Sequence, residues 1–199
     1  MFSEHVQSRV DQKEATRRRV LDAADSLFRS QGFAATTVRQ IASKAEVSAG
    51  SVMAVGDKDA LLVAIYDSWI AAVHRSRAET FGDMPSADLP DDVIALFEPF
   101  VDHFARDIEL SREYAAVIVR GDHDTTIFRQ LGLTLVGEVH QVLVRSGVDE
   151  TSAGRRAAAI YLAYLGILMT VSNGAVSDES GRAQFRDVVS LITDHEELS

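Results

Sequence analysis

The sequence contains no cysteine and only three prolines and one tryptophan among its 199 residues. Without cysteine the chain can form neither a disulfide framework nor a thiolate metal site. The N-terminal segment is polar and basic and lacks the apolar core of a signal peptide, which predicts a cytoplasmic location. The longest stretch of low polarity, residues 157–171, is shorter than the roughly 20 residues that span a bilayer, so no membrane association is expected.

The net charge of −10 is distributed unevenly along the chain. Residues 1–58 carry nine Lys or Arg and seven Asp or Glu, a net charge of +2, whereas residues 59–199 carry 11 basic and 23 acidic residues, a net charge of −12. All the lysines (Lys13, Lys44 and Lys58) lie in the first part. This asymmetry is expected of a protein that contacts phosphates with one end only.

Helical periodicity dominates and strand-like alternation is almost absent, which predicts an all-α fold. The first helix carries an apolar stripe over residues 20–28 and ends at Gly32, a residue suited to the position after a helix cap. Thr36 or Thr37 caps a second helix of about two turns. The N-terminal part therefore begins with a long helix followed by a short one.

Two further caps follow closely. Ser48 opens a third short helix that continues through Met53, and Asp57 caps a long fourth helix over about 57–80. Three helices of this kind, with a tight turn between the second and the third, are typical of the helix-turn-helix that places one helix in a major groove.

The remainder of the chain contains longer helical patterns after a linker, which we place at residues 81–92 because two of the prolines lie there. Pro99 interrupts the first of these patterns and must either kink that helix or start a new one. The apolar stripes cover residues 93–108, about 111–120, 128–142 with Asp124 as cap and Gly147 as stop, 151–174 and 185–192.

The stretch RRVLDAADSLFRSQGFAATTVRQIASKAEVSAGSVM, residues 18–53, resembles the N-terminal domain of the TetR family of transcriptional regulators. The order and spacing of several short elements carry this resemblance. They are Arg19-Val20-Leu21, Ala23-Ala24, Leu27-Phe28, Gly32, Thr36-Thr37, Ile41-Ala42, Val47-Ser48, Gly50 and Lys58-Asp59-Ala60-Leu61.

The resemblance implies two domains and a regulatory function. Residues 1–58 would form an N-terminal arm and a helix-turn-helix DNA-binding domain, and residues 59–199 a helical bundle that senses a ligand and dimerises. The implied partners are a near-palindromic double-stranded DNA operator, a small-molecule effector and a second copy of the chain, paired through the last two helices. No cofactor or catalytic residue is implied, and repression is the commoner behaviour in the family.

The predicted DNA-binding residues fall into two groups. Thr37, Ser48, Gly50 and Lys58 would contact phosphates, the first three at helix starts where free N–H groups favour an anion. Base contacts would fall to a small and mostly apolar set, which favours thymine methyl groups over bidentate hydrogen bonds. This set comprises Arg39, Ala49, Ser51, Val52 and Met53.

The chain departs from the family pattern around the second and third helices. Glu46 stands where the family usually has glycine, which costs roughly 1 kcal/mol if that residue is left-handed. Met53 replaces a common tyrosine, the usual aromatic before Lys58 is missing, and the spacing from Gly50 to Lys58 is one residue short. We therefore expect a modified end of the third helix.

In the C-terminal part, aromatic and other large side chains are the candidates for an effector site, with His103 and His140 as possible polar anchors. The 151–174 helix is apolar nearly all round, so it needs a bundle on one side and a partner on the other, with Ile167 and Leu168 expected on the exposed face. Asp122-His123-Asp124 lacks a convincing metal spacing, and no metal is assigned. The ligand candidates are Trp69, Phe97, Phe100, His103, Phe104, Tyr114, Tyr161, Tyr164 and Met169.

Two alternatives remain open at this stage. One is a helical ligand-binding or partner-binding protein of the same fold that does not bind an operator. The other is a small all-helical enzyme, although the sequence has no GxSxG, HExxH, P-loop or GxGxxG motif.

Overall fold

In a computed structural model of the chain, the second, third and fourth helices each begin directly after a residue that was predicted as a cap. The structure describes residues 2–80, 88–121 and 126–194. Helices α1 (Phe2–Gln31), α2 (Val38–Lys44), α3 (Ala49–Val55) and α4 (Lys58–Thr80) come first. Gly32 ends α1 with a φ of 87°, and its N–H donates to the Phe28 carbonyl at 3.0 Å. The predicted end of the first helix is therefore confirmed.

Helix α1 begins far upstream of the apolar stripe that predicted it. Residues 10–15 are exposed and contribute nothing to a core, but they include Gln, Lys, Glu and Ala, which favour helix intrinsically. The packed part starts near Val20, which is fully buried. Intrinsic helix propensity therefore accounts for the N-terminal part of α1, whereas tertiary packing stabilises the helix only from Val20 onward.

Five more helices complete the described parts of the chain: α5 (Leu89–Arg106), α6 (Ile108–Arg120), α7 (Thr126–Arg145), α8 (Glu150–Ser172) and α9 (Asp178–Thr193). No strand occurs within these ranges, and the all-α prediction is confirmed. Pro99 lies inside α5, which continues to Arg106, so no new helix begins there. The proposed cap Asp124, the Asp122-His123-Asp124 cluster and residues 81–87 of the linker lie outside the described residues.

The chain divides into two compact units. The first comprises Met1–Ser68 and Glu113–Asp124, and the second comprises Trp69–Arg112 and Thr125–Ser199. Helices α4 and α6 contribute residues to both units. The predicted functional boundary at residue 58 remains a prediction.

The first unit is built on apolar side chains from α1 to α4. Apolar residues whose spacing predicted these helices are buried here. The Tyr66 ring is stacked on the Tyr114 ring of α6 at a centroid distance of 4.2 Å. Asp59 also accepts from the Arg120 guanidinium at 2.7 Å, joining the start of α4 to the end of α6. The core residues include Val20, Ala24, Phe28, Ile41, Val52, Leu61 and Leu62.

The second unit is a bundle in which α8 packs against α7 and α9, and α5 packs against α7 and α9. Its largest buried side chains come from α5, α7, α8 and α9, including Phe97, Leu143 and Ile160. Gly181 allows α8 and α9 to approach closely, because a Cβ at this position would lie 2.5 Å from the Val171 Cγ2. No helix in the described ranges is long and apolar enough to cross a membrane.

Candidate functional site

Thr37 begins α2 through a complete capping box. Its hydroxyl accepts from the Gln40 N–H at 3.3 Å, and the Gln40 side-chain oxygen accepts from the Thr37 N–H at 2.8 Å. Thr36, the alternative cap, is instead buried and donates to the Gly32 carbonyl at 2.8 Å. Thr37 and Arg39 are both exposed, so α2 offers a polar side chain and a cation to solvent.

The turn after α2 is a Schellman motif that contains Glu46 in the left-handed conformation, with a φ of 55°. The Glu46 N–H donates to the Ser43 carbonyl at 3.3 Å, and the Val47 N–H donates to the Ala42 carbonyl at 3.0 Å. Glu46 is therefore left-handed, which is the condition under which the sequence implied a cost of roughly 1 kcal/mol. The turn therefore forms with glutamate in place of glycine, at a conformational cost.

Ser48 caps α3 and pairs with Ser51. The Ser48 hydroxyl oxygen accepts from the Ser51 N–H at 3.0 Å, and the two hydroxyl oxygens are 2.9 Å apart. Ser48, Ala49 and Gly50 are exposed, and Ser51 is half-buried. The start of α3 thus presents small side chains and backbone to solvent, and its contact with DNA remains a prediction.

Val52 is a correction to the predicted base contacts. Its relative exposure is 0%, because it points into the core beneath α3 instead of outward. A side chain without accessible surface cannot touch a base in this conformation. Met53, in contrast, is 53% exposed. Of the five residues predicted to contact bases, the four with solvent-accessible side chains are Arg39, Ala49, Ser51 and Met53.

Lys58 is engaged within the first unit. Its Nζ donates to the Phe33 carbonyl at 2.7 Å and lies 4.5 Å from the centroid of the Phe33 ring. Asp57 caps α4 by accepting from the Ala60 N–H at 2.8 Å. Lys58 therefore holds the α1–α2 turn against the start of α4, so a phosphate contact would use an ammonium group already fixed in place.

Gly56 is a residue whose importance the sequence reasoning missed. A Cβ at this position would lie 2.8 Å from the Ala60 Cβ, closer than real side chains approach. The glycine therefore allows α3 to pass into α4 over a short connection. The available signal was a lone glycine between the third, short helical pattern and the fourth, long one.

The second unit contains an apolar cavity of about 350 Å³ between α5, α8 and α9, touched also by the first residue of α6. This volume lies near the lower end of ordinary small-molecule sites, which are about 300–1,000 Å³. The lining residues are Ile94, Phe97, Glu98, Val101, Phe104, Ala105, Ile108, Tyr164, Ile167, Leu168, Val171, Asp178, Gly181, Arg182, Ala183, Phe185 and Arg186.

Three of the predicted ligand residues, Phe97, Phe104 and Tyr164, line this cavity. Burial raises the pKa of the Tyr164 hydroxyl, and the nearby Tyr161 adds to the effect, so Tyr164 is a neutral phenol at any physiological pH. The Phe185 ring, which was not among the predicted ligand residues, completes the aromatic wall at 4.9 Å from the Phe97 ring.

The other six predicted ligand residues lie elsewhere. Trp69 stacks on His103 at 3.7 Å and meets the edge of Phe100 at 5.6 Å, forming an aromatic group on α4 and α5. Tyr114 belongs to the first unit, and Met169 is exposed on α8. Tyr161 packs against Gly132, where a Cβ atom would lie 2.4 Å from the Tyr161 hydroxyl oxygen. The structure does not bring these six into the cavity.

A buried polar cluster joins α4, α5 and α7 inside the second unit. The Glu138 carboxylate accepts from the Arg77 guanidinium at 2.7 Å and lies 2.7 Å from the His74 Nδ1. Arg77 also donates to the Leu96 carbonyl and lies 5.1 Å from the centroid of the Phe100 ring. Glu138 is 64 residues from His74 and 61 residues from Arg77 in the sequence, so no local pattern could reveal these contacts.

The outer faces of α8 and α9 carry exposed apolar side chains. Leu162 and Met169 are exposed on α8, and Leu191 is exposed on α9. Small residues on α8, Ala158, Ala159 and Gly166, share the stripe of Leu162. Ile167 and Leu168 are half-buried and line the cavity, so their placement on the exposed face was wrong by roughly one residue of helical rotation.

Taken together, the short capped helices α2 and α3, the tight turn between them and the exposed start of α3 define a helix-turn-helix DNA-binding unit. Residues 20–65 match the sequence model of the bacterial regulatory proteins of the TetR family. Residues 20–65 are therefore similar in sequence to the DNA-binding domain of the TetR family, and the fold of the described residues is similar to that of solved TetR-family regulators.

Solved structures similar to this chain include TetR-family regulators. A TetR transcriptional regulator from Rhodococcus sp. RHA1 matches with a TM-score of 0.66 and 17% identity, covering 94% of this chain and 100% of the other. Thermus thermophilus FadR, a TetR-family repressor in complex with lauroyl-CoA, matches with a TM-score of 0.67 and 20% identity, covering 92% and 96%. At these identities the likeness shows the fold. No protein in the curated set matches the sequence.

Proposed function

We propose that this regulator is a homodimeric repressor that binds a near-palindromic operator in the cytoplasm and leaves it when a small, largely apolar molecule binds. The observation that carries the proposal is an apolar cavity of about 350 Å³ in a chain that also has a helix-turn-helix. The structural neighbour from Thermus is a repressor with lauroyl-CoA bound, which supports a ligand-responsive reading without indicating the ligand of this chain.

The DNA contacts proposed for the first unit combine positioning and readout. Thr37, Ser48, Gly50 and Lys58 would hold phosphates, since three of them lie at helix starts where N–H groups face outward. Arg39, exposed on α2, is the cation best placed to add base or phosphate contact, and Ala49, Ser51 and Met53 would meet base edges.

The dimer is proposed through the exposed apolar face of α8 and α9. Leu162 and Leu191 are 66% and 76% exposed, an arrangement that a second copy of the chain would cover. Small residues beside Leu162 would let two α8 helices approach closely. A two-fold pair of this kind would set the two α3 helices about 34–36 Å apart, or wider, to match successive major grooves.

The effector would act by binding more tightly to the conformation that does not fit the operator. Coupling between two such sites is typically 1–3 kcal/mol, about 5-fold to 150-fold in affinity, and it is reciprocal. Helix α4 provides a covalent connection for this coupling, since its residues up to Ser68 belong to the first unit and those from Trp69 to the second. This role is regulatory and involves no catalytic residue.

A gel-shift titration against the DNA upstream of the protein's own gene tests operator binding. The wild-type chain is expected to give a discrete shift that survives excess competitor DNA. Arg39→Ala, on α2, should weaken the shift, whereas Arg106→Ala removes an exposed arginine from the end of α5 and should leave it unchanged. An equal loss in both variants would contradict the proposed surface.

A second candidate is a ligand-binding protein of this fold without an operator. It is favoured by the composition of α3, whose seven residues include no basic side chain, and by the engagement of the Lys58 Nζ with the Phe33 carbonyl. Ligand binding in the absence of any gel shift, over genomic fragments as well as upstream DNA, would select this candidate over the repressor.

A further inference from the structure

The mouth of the α5/α8/α9 cavity has an excess of negative charge. Arg186 donates to the Asp91 carboxylate, and Asp88 and Glu98 lie near enough to raise the Arg186 pKa further. The charged side chains that line the cavity are the carboxylates of Glu98 and Asp178 and the guanidinium groups of Arg182 and Arg186. Three more carboxylates lie beside these two arginines without lining the cavity, so that five carboxylates accompany two guanidinium groups; the three are Asp88, Asp91 and Asp102.

Both arginines at the mouth are already paired. Arg182 lies 2.9 Å from a carboxylate oxygen of Asp178 on its own helix and 2.9 Å from one of Asp102 on α5. These hydrogen bonds raise the pKa of the Arg182 guanidinium. Because each guanidinium has carboxylate partners, neither offers a free site for an anionic ligand, and the net charge of the seven groups is −3.

The interior of the cavity is suited to a positive charge as well. Four aromatic rings line it: Phe97, Phe104, Tyr164 and Phe185. The faces of aromatic rings attract cations, and quaternary ammonium groups are recognised by aromatic cages. The Tyr164 side chain is more than nine-tenths buried and forms part of the cavity wall.

We propose that the cavity binds an organic cation with an apolar body, such as an alkylammonium. The apolar body would fill the space between α5, α8 and α9, and the cationic group would lie among the aromatic rings or at the acidic mouth. This inference names the effector class and rests on the proposed function for its regulatory meaning. An anion such as the lauroyl-CoA bound by the Thermus protein would meet repulsion here.

Three ligands with the same alkyl chain test the charge preference: octyltrimethylammonium, octanol and octanoate, each measured by isothermal titration calorimetry below its micellar concentration. The cation is expected to bind about 5-fold to 30-fold more tightly than the anion, as a few exposed electrostatic and cation–π contacts would produce. The preference should shrink as salt is added. Equal affinities, or tighter binding of octanoate, would overturn the proposal.

Two variants and a matched control locate the site. Glu98→Gln removes a carboxylate that lines the cavity and should reduce the preference for the cation about 2-fold to 5-fold. Glu150→Gln removes an exposed carboxylate near the start of α8, about 20 Å along the helix from Tyr164, and should change nothing. Equal effects of the two substitutions would contradict a site at the mouth.

Val101→Trp tests whether the cavity itself is occupied. The larger side chain should fill the space and abolish binding of all three ligands, with the helical circular-dichroism spectrum and the dimer retained. Unchanged ligand binding together with a weakened dimer would instead identify this groove as a contact between two copies and overturn the proposal.

A gel shift with and without octyltrimethylammonium separates this inference from the proposed function. Cation binding in calorimetry without release of DNA would leave the cavity assignment standing and refute the effector role. Release of DNA by octanoate, with no binding of the cation, would refute the charge preference and leave a ligand-responsive repressor.

Discussion

Replacement of Glu46 by glycine is expected to stabilise the protein. Glu46 occupies the left-handed position of the Schellman motif after α2, with a φ of 55°. Its exposed side chain makes no hydrogen bond or ion pair with the described residues, so no contact offsets the steric cost of the Cβ. Glycine satisfies the same two backbone hydrogen bonds without that cost.

The magnitude follows from two opposing terms. A left-handed L-residue costs roughly 1–2 kcal/mol, and glycine loses about 0.4–1 kcal/mol more than alanine through the entropy of the unfolded chain. Taken at the midpoints of these ranges, about 1.5 and 0.7 kcal/mol, the two terms give a net gain in the free energy of unfolding of about 0.8 kcal/mol for Glu46→Gly. For a chain of this size the expected rise in Tm is about 1–4 °C.

Thermal and urea unfolding followed by circular dichroism measure this gain. Glu46→Ala is the control, because it removes the carboxylate but keeps the Cβ in the left-handed conformation. Glu46→Asn should fall between the two, since asparagine tolerates this region better than most residues. A gain for Glu46→Ala equal to that for Glu46→Gly would show that the carboxylate, and not the backbone, is the source, and would refute the reasoning.

Three further substitutions test other parts of the structure. Lys58→Ala should weaken binding to all DNA sequences equally, because phosphate contacts carry no base information. The same substitution should lower the free energy of unfolding by about 1 kcal/mol, because the hydrogen bond to the Phe33 carbonyl is lost. A changed operator preference in competition gel shifts would contradict the phosphate-binding role of Lys58. Leu162→Asp should convert the dimer to a monomer in light scattering, whereas Leu133→Asp, equally 66% exposed but on α7, should not, and the reverse result would place the interface elsewhere. Glu138→Gln should lower the free energy of unfolding by about 3 kcal/mol, because Arg77 and His74 would then lack their carboxylate partner in the interior. A loss below about 0.5 kcal/mol, which is typical of a surface site, would show that the cluster does not hold α4 to α7.

Much of the first unit could be predicted from the sequence, because its signals are local. Gly32 and Ser48 end or begin helices through hydrogen bonds to residues within four positions of themselves, so their effect depends little on the rest of the chain. The left-handed conformation of Glu46 was raised only as a condition, and the reason was the family pattern, which usually has glycine at this position. The family resemblance added the function that these local signals could not supply.

Side-chain direction within the helices required the tertiary structure. Val52 was predicted to contact bases but is buried, and Ile167 was predicted on an exposed face but lines a cavity. Each step along a helix rotates the side chain by about 100°, so an error of one residue exchanges an inward position for an outward one. Periodicity alone does not fix that rotation when a helix is apolar on several faces.

The composition of the cavity and of the buried ionic cluster was decided only by the packing of distant segments. Phe97 and Phe185 lie 88 residues apart in the sequence and have rings 4.9 Å apart, and Glu138 meets Arg77 across 61 residues. No local pattern records which helices become neighbours, because that choice depends on the burial of all apolar faces at once. The sequence therefore determined a DNA-binding domain and a helical bundle, and the tertiary packing determined which side chains line the cavity in that bundle.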